Sequence, residues 1–147
     1  HLDQVVLATE VYLALFDLGE DHPDQGLERA HDVRRTASEA GHVEPELFAC
    51  MAEALAHLAL GFTEKAMEAA LRSVELYQKL GGTQQFEVEL HLVAARAMEA
   101  AGRSTEASSF ASLASEALER RTDPITDEEA IERLKDSIGM GLPAQIR

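Results

Sequence analysis

The sequence predicts an all-α protein in which three helical hairpins stack into a solenoid. The composition is the first reason, because the 147 residues include 24 alanines but only 5% aromatic residues, 9 glycines and 4 prolines. A β-sandwich would need more β-branched and aromatic residues and more frequent turns. The second reason is that apolar residues recur at helical spacings. The third is that the helix ends repeat with a period of about 41 residues, which is typical of repeats with two helices each.

The first pair of helices is predicted at residues 2–18 and 25–40. Apolar residues follow one helical face of the first segment, and Gly19 ends it, since glycine readily takes the left-handed conformation that closes a helix. A polar turn comes next, in which Asp24 is the predicted N-cap of the second helix. Gly41 ends that helix.

The second pair is predicted at residues 45–60 and 64–80. The first of these helices begins with proline, which is favoured in a first helical turn, and ends at Gly61. Thr63 is the predicted N-cap of the other helix, and two consecutive glycines at positions 81 and 82 end it.

The third pair is predicted at residues 84–101 and 105–120. Gly102 ends the first helix of this pair, and Ser104 is the predicted N-cap of the second. After a loop, Asp127 precedes a last amphipathic stretch.

We therefore expect one domain over residues 1–138 and a frayed C-terminal tail at 139–147. The domain contains three repeats and a terminal helix of the kind that solenoids need for solubility. Their approximate bounds are 2–41, 44–82 and 84–121 for the repeats and 127–138 for the capping helix.

Small residues recur early in each second helix, with the same period as the helix ends. Each pair of small residues is one turn apart and so lies on one helical face. Two helices approach to about 8–10 Å only where the side chains between them are short. We therefore expect helix crossings at three pairs, which are Gly26/Ala30, Ala66/Ala70 and Ala107/Ala111.

The segment from Leu60 to Ala70, LGFTEKAMEAA, resembles the tetratricopeptide repeat family in its glycine, its short turn and the E-x-A-x-x-x-A start of its second helix. The third unit repeats this pattern from Gly102 to Ala111. HEAT-like helix pairs have a similar period but lack this motif. The resemblance implies a right-handed α-α superhelix whose repeats bind proteins, as in bacterial signalling and regulatory proteins.

The chain also departs from the family pattern. Its period exceeds that family's repeat length of roughly 34 residues. Its first unit has a longer turn, with Gly26 in place of alanine. The early tryptophan is absent, and Gly41 and Gly81 replace the proline that commonly closes a unit. The repeats are thus degenerate and lengthened versions of the family's repeat.

Charge and cysteine content exclude several classes of function. Lysine and arginine total 13 against 27 aspartates and glutamates, which gives a net charge of −14. Such a chain repels nucleic acid and anionic membranes, so neither is an expected partner. The one cysteine forms no internal disulfide, and no apolar run spans a bilayer, so we expect a cytoplasmic location. Because the chain begins with His1, we expect it to be a piece of a larger protein.

Catalysis is not expected, because the sequence has no nucleotide-binding, zinc-protease, esterase or C-x-x-C motif. We expect no cofactor, and Cys50 is predicted to be a small buried apolar residue. His57 and His91, each with a glutamate one turn earlier, suggest a divalent metal site if they face each other. The alternative is that both histidines pack between repeats. Arg34 and Arg35 either bind a carboxylate of a partner or lie on a solvated face.

The resemblance implies that the first helix of each pair lines a concave binding face. The family's groove positions are transferred to this chain by counting back from the glycine that ends the first helix of each pair. The expected ligand of this face is an amphipathic helix or an extended peptide. The alternative, packing between repeats, is equally favoured for Leu55 and Leu58, whereas exposure is favoured for Phe48 and Met51. The predicted groove residues are Thr9, Leu13 and Asp17 in the first unit, Phe48, Met51 and Leu55 in the second, and Leu92 and Arg96 in the third.

Three functions are open at this point. The first is a non-catalytic module that binds a protein or peptide within a larger bacterial regulator. The second is a homodimerisation or scaffold module, in which the uncapped helix at residues 2–18 meets a second copy. The third is a small-ligand or metal-binding helical domain that uses the region of His57 and His91.

Overall fold

The computed structural model describes residues 21–82 and 87–120, and both ranges consist of helices and turns without a strand. For these residues the predicted all-α class is confirmed. The predicted helix at 2–18, its stop at Gly19, the capping helix at 127–138 and the tail lie outside the described residues. The five described helices are α1 (Pro23–Ala40), α2 (Val43–Leu60), α3 (Thr63–Lys79), α4 (Glu87–Ala100) and α5 (Ser104–Arg120).

The glycine stops predicted within the described ranges are confirmed, and three of them use the same backbone geometry. Gly41, Gly61 and Gly102 have φ of 74°, 81° and 78°, which is the left-handed region. At each stop, the amide of the following residue donates to the carbonyl five residues earlier, as Phe62 does to His57 at 2.8 Å. This closure satisfies carbonyls that the last helical turn leaves unpaired. The helix ends therefore follow from a local property of glycine.

The helix starts differ from the predictions. Helix α1 begins at Pro23 with His22 as N-cap, so the predicted cap Asp24 lies inside the first turn. Helix α3 has Phe62 as N-cap, and the predicted cap Thr63 is its first helical residue. No side-chain hydrogen bond caps either helix. Proline at the first position fixes φ in the helical range, and the carboxylate of Asp24 interacts favourably with the positive end of the helix dipole.

Each described helix packs against the next along the chain, and α2 also packs against α4. Helix α2 thus contacts three of the other described helices. The α1–α2 contact consists largely of alanines, with Ala30 and Ala37 against Ala49 and Ala52. The central cluster joins α2, α3 and α4 and includes Leu47, Leu76 and Leu90, which are at most 1% exposed.

The small residues early in the second helices lie at the contacts, with one exception. Gly26, Ala30, Ala66 and Ala70 are buried, and Ala107 packs with Met67 and Met98. Ala111 is exposed, so the prediction for this residue is wrong. The buried residues that follow on α5 are Ala114 and Ala117, which lie further along the face that contacts α4. None of the helices in the two described ranges is both long and apolar enough to cross a membrane.

Candidate functional site

Helix α2 separates two candidate surfaces. On one side lie the predicted groove positions of α2 and α4, which are related by the internal repeat. We call them the α2–α4 stripe. On another side, glutamates of α2 meet arginines of α1 and α3. The residues of the stripe are Phe48, Met51, Leu55 and Leu58 on α2 and Glu89, Leu92, Arg96 and Glu99 on α4.

The middle of the α2–α4 stripe is more buried than expected. Met51 and Leu55 are 9% and 3% exposed and belong to the central cluster, so the expected exposure of Met51 is wrong. The reason is that α2 is enclosed by three helices. Phe48, Leu58 and Leu92 are partly buried against the same cluster. The groove residues Thr9, Leu13 and Asp17 lie outside the described residues.

Arg96 is the unusual member of the stripe. It is half-buried, and its Nε atom has no hydrogen-bond partner among the described residues. Burial lowers the pKa of its guanidinium, and no described carboxylate raises it again. Within the described part of the chain, the guanidinium therefore lies in a partly desolvated position without the acidic partner that such a charge normally has.

The other side of α2 carries a buried glutamate that sequence reasoning considered only as a metal ligand. Glu53 is 2% exposed, and its Oε2 accepts a hydrogen bond of 2.7 Å from Nη1 of Arg34 on α1. Its Oε1 lies 3.5 Å from Nδ1 of His31 and accepts no hydrogen bond from a described residue. His57, one turn later on α2, has a buried Nδ1 that likewise has no partner in the described ranges.

These side chains line an open cavity of about 510 Å³ between α1, α2 and α3, which we call the α1–α3 cavity. The signal in the sequence is the placement of Glu53 and His57 one turn apart in a stretch, residues 47–60, that is otherwise apolar. The partners on α1 and α3 could not be read from that spacing. The cavity is lined by Asp24, Leu27, Glu28, His31, Arg34, Glu53, His57, Lys65, Glu68 and Ala69.

Two further ion pairs involve glutamates at equivalent positions of consecutive repeats. Glu46 begins α2 and pairs with Arg72 of α3, with Nη2 and Oε2 3.1 Å apart. Glu87, at the same position of the next repeat, begins α4 and pairs with Arg120 of α5. Each pair joins the two helices of one hairpin, so we assign both a structural role.

His57 and His91 have different surroundings, which disfavours a metal shared between them. The His91 ring packs against Tyr77 and Phe110, with centroids 5.7 and 6.2 Å away. The His57 ring lies 6.2 Å from that of Phe62. Burial lowers the pKa of both histidines. Over residues 21–82 and 87–120, no group of three His, Cys, Asp or Glu side chains is placed to hold a metal ion.

The prediction for Cys50 is confirmed. Its side chain is fully buried in the central cluster, and burial raises the pKa of the thiol to about 12. A cysteine in this state is a thiol at neutral pH and a poor nucleophile.

Comparison with known proteins gives no matching family model, curated protein or solved structure. The resemblance to tetratricopeptide repeats therefore depends on the motif from Leu60 to Ala70 and on its recurrence in the third unit.

Proposed function

We propose that this chain is a non-catalytic protein-interaction module that binds a peptide or helix along the α2–α4 stripe, and that it forms part of a larger bacterial regulatory or signalling protein. The regulatory setting follows only from the resemblance to tetratricopeptide repeats. The packing order of the helices supports the repeat architecture, because α2 and α4, the first helices of consecutive hairpins, lie side by side. In stacked repeats of this kind, such helices form an extended binding surface.

The observation that carries the proposal is the guanidinium of Arg96, whose buried Nε has no acceptor among the described residues. A half-buried charge without a partner is unfavourable, and a carboxylate supplied by a ligand would remove that penalty. The partly buried Phe48 and Leu92 lie on the same stripe and provide apolar contacts. We therefore expect a ligand with an acidic side chain or a C-terminal carboxylate next to apolar residues. Since the chain has a net charge of −14, basic residues flanking this segment would speed association.

The proposal is tested by selecting a displayed library of random peptides on the purified protein. We expect enriched peptides to combine an acidic group with apolar residues at helical spacings. Their affinity should fall about tenfold or more in Arg96→Met, since a charge-assisted hydrogen bond is lost. The matched control is Arg103→Met, which removes an exposed arginine from the turn between α4 and α5. Peptides that bind both variants equally well, or no enrichment at all, would contradict the proposal.

A further inference from the structure

We propose that the α1–α3 cavity binds a primary ammonium group, carried by a small amine or by the lysine side chain of another protein. The cavity is independent of the proposed peptide site, because no residue of the α2–α4 stripe lines it. The cavity has a volume of about 510 Å³ and is open to solvent, so an amine or a lysine side chain of another protein can enter it.

The first argument is the unsatisfied carboxylate oxygen of Glu53. Arg34 donates to Oε2 only, and the buried Oε1 accepts no hydrogen bond from a described residue. The described cationic group that faces Oε1 is the exposed imidazole of His31, whose Nδ1 lies 3.5 Å away and carries a charge only when protonated. Native proteins rarely leave a buried carboxylate oxygen without a donor, since this costs much of its hydration energy. Because Glu53 lines the cavity, a ligand in the cavity is in a position to supply the missing donor.

The second argument is the buried Nδ1 of His57, for which the described residues supply no partner. Burial lowers the pKa of this imidazole, so the ring is neutral at neutral pH. With its proton on Nε2, the ring offers Nδ1 as an acceptor. His57 follows Glu53 by one helical turn, so the two side chains share a face of α2 and line the same cavity. In this tautomer the cavity presents two acceptors, which suits a ligand that donates at least two hydrogen bonds.

The third argument is the charge around these acceptors. Four carboxylates line the cavity against one arginine and one lysine, so its field favours a cation when the histidines are neutral. The carboxylates are those of Asp24, Glu28, Glu53 and Glu68.

An exposed aromatic ring beside the cavity suits the same ligand. Phe62 is 49% exposed, and Nζ of Lys65 already lies 5.5 Å from the centroid of its ring. The ring is also 6.2 Å from that of His57, which lines the cavity. An aromatic face attracts ammonium groups through its quadrupole.

The geometry favours an ammonium group over a guanidinium. A planar guanidinium binds best to both oxygens of one carboxylate, and Arg34 already occupies Oε2 of Glu53. An ammonium has three donors in different directions, so it can bond to the one remaining oxygen of a carboxylate and still donate to other acceptors.

The polar pair Glu53 and His57 is not repeated in the third unit. The positions one repeat after Glu53 and His57 are Ala94 and Met98, which are 0% and 2% exposed. The third unit thus fills the equivalent positions with apolar side chains.

Isothermal titration calorimetry with 1,5-diaminopentane in buffer of physiological ionic strength tests the proposal. We expect saturable binding of the diamine and none of its neutral counterpart 1,5-pentanediol. Affinity should fall about tenfold or more in Glu53→Gln and remain unchanged in Glu106→Gln, which removes an equal charge from an exposed position on α5. Circular dichroism verifies that each variant is folded.

If Glu53→Gln fails to fold, the double variant Glu53→Ala/His57→Met replaces it, since this variant copies the third unit. A Gly-Lys-Gly peptide with blocked ends distinguishes the two sources of the ammonium group, a small amine and a lysine side chain of another protein. Tighter binding of the peptide than of the diamine assigns the site to a lysine side chain, and the reverse assigns it to a free amine. Absence of binding by both probes, equal losses in Glu53→Gln and Glu106→Gln, or equal binding of a guanidinium analogue would overturn the proposal.

Discussion

The adjacent arginines Arg34 and Arg35 allow a direct measurement of how much a buried ion pair contributes to this fold. Nη1 of Arg34 lies 2.7 Å from Oε2 of Glu53, whose side chain is only 3% exposed. Arg35 lies 3.9 Å from Asp32, and these two side chains are 62% and 63% exposed. Replacing each arginine in turn with methionine removes one charge and keeps an apolar stem of similar length.

The distances predict different losses for the two variants. At an effective dielectric constant of 20, the attraction across 2.7 Å is about 6 kcal/mol, whereas in water the attraction across 3.9 Å is about 1 kcal/mol. Desolvation offsets part of the first value, and side-chain entropy offsets most of the second. We expect Arg34→Met to lower the free energy of unfolding by about 3 kcal/mol and Arg35→Met by at most about 0.5 kcal/mol.

Urea unfolding followed by the helical circular dichroism signal measures both values. A second substitution, Glu53→Met in the Arg34→Met background, removes the unpaired carboxylate and should recover most of the loss. The loss in Arg34→Met should also depend only weakly on salt, because buried charges are poorly screened. Equal destabilisation by Arg34→Met and Arg35→Met would refute the reasoning, since Glu53 would then not need Arg34 in the folded protein.

Three further outcomes are expected. Gly61→Ala should lower the free energy of unfolding by about 1–2 kcal/mol, because φ is 81° and the added methyl group meets no atom of the described residues within 4 Å, so that backbone strain is the main cost. Gly61→Asn should cost less in the same urea titration. Cys50 should not react with a thiol reagent at pH 8 in the native protein and should react fully once unfolded, because its thiol is buried with a pKa of about 12. His91 has a pKa lowered from 6.5, so the unfolded chain binds its proton first, and stability should fall as the pH drops from 6.5 towards 5; this decline should be smaller in His91→Phe.

The parts of the fold that depend on local chemistry could be predicted from the sequence. Helical spacing of apolar residues located the described helices, and a left-handed glycine closes α1, α2 and α4, as at Gly61. The helix starts were predicted less well. Several residues near a start can serve as cap, and in α1 the fixed φ of Pro23 sets the first turn one residue before Asp24.

The features that depend on how helices pack could not be predicted in the same way. The exposure of Met51 depends on how many helices surround α2, and periodicity gives no such number. The two adjacent arginines differ for the same reason, since Arg34 reaches a buried carboxylate on α2 while Arg35 lies on the exposed side of α1. Spacing placed Glu53 and His57 on one face of α2, but the cavity that both residues line is formed by α1 and α3 as well.

The internal repeat separates polar residues that recur from one unit to the next from those that occur in a single unit. Glu46 and Glu87 occupy the same repeat position, and each is paired with an arginine in its own hairpin. Four buried side-chain atoms of the described residues have no hydrogen-bond partner. Each belongs to a residue of the second or third unit, and the equivalent position in the other of these two units holds an apolar residue or a cysteine. These residues are Glu53, His57, His91 and Arg96, and their counterparts are Ala94, Met98, Cys50 and Leu55.

Because the scaffold accommodates apolar residues at these repeat positions, packing alone does not account for the polar ones. An unsatisfied buried polar atom lowers stability, and selection for stability alone would favour the apolar counterpart. Three of the four lie on the two surfaces proposed to bind ligands, Arg96 on the α2–α4 stripe and Glu53 and His57 in the α1–α3 cavity. The fourth, His91, gains ring contacts with Tyr77 and Phe110 in exchange. The sites that we propose for ligands therefore coincide with departures from the repeat, and not with the positions that recur.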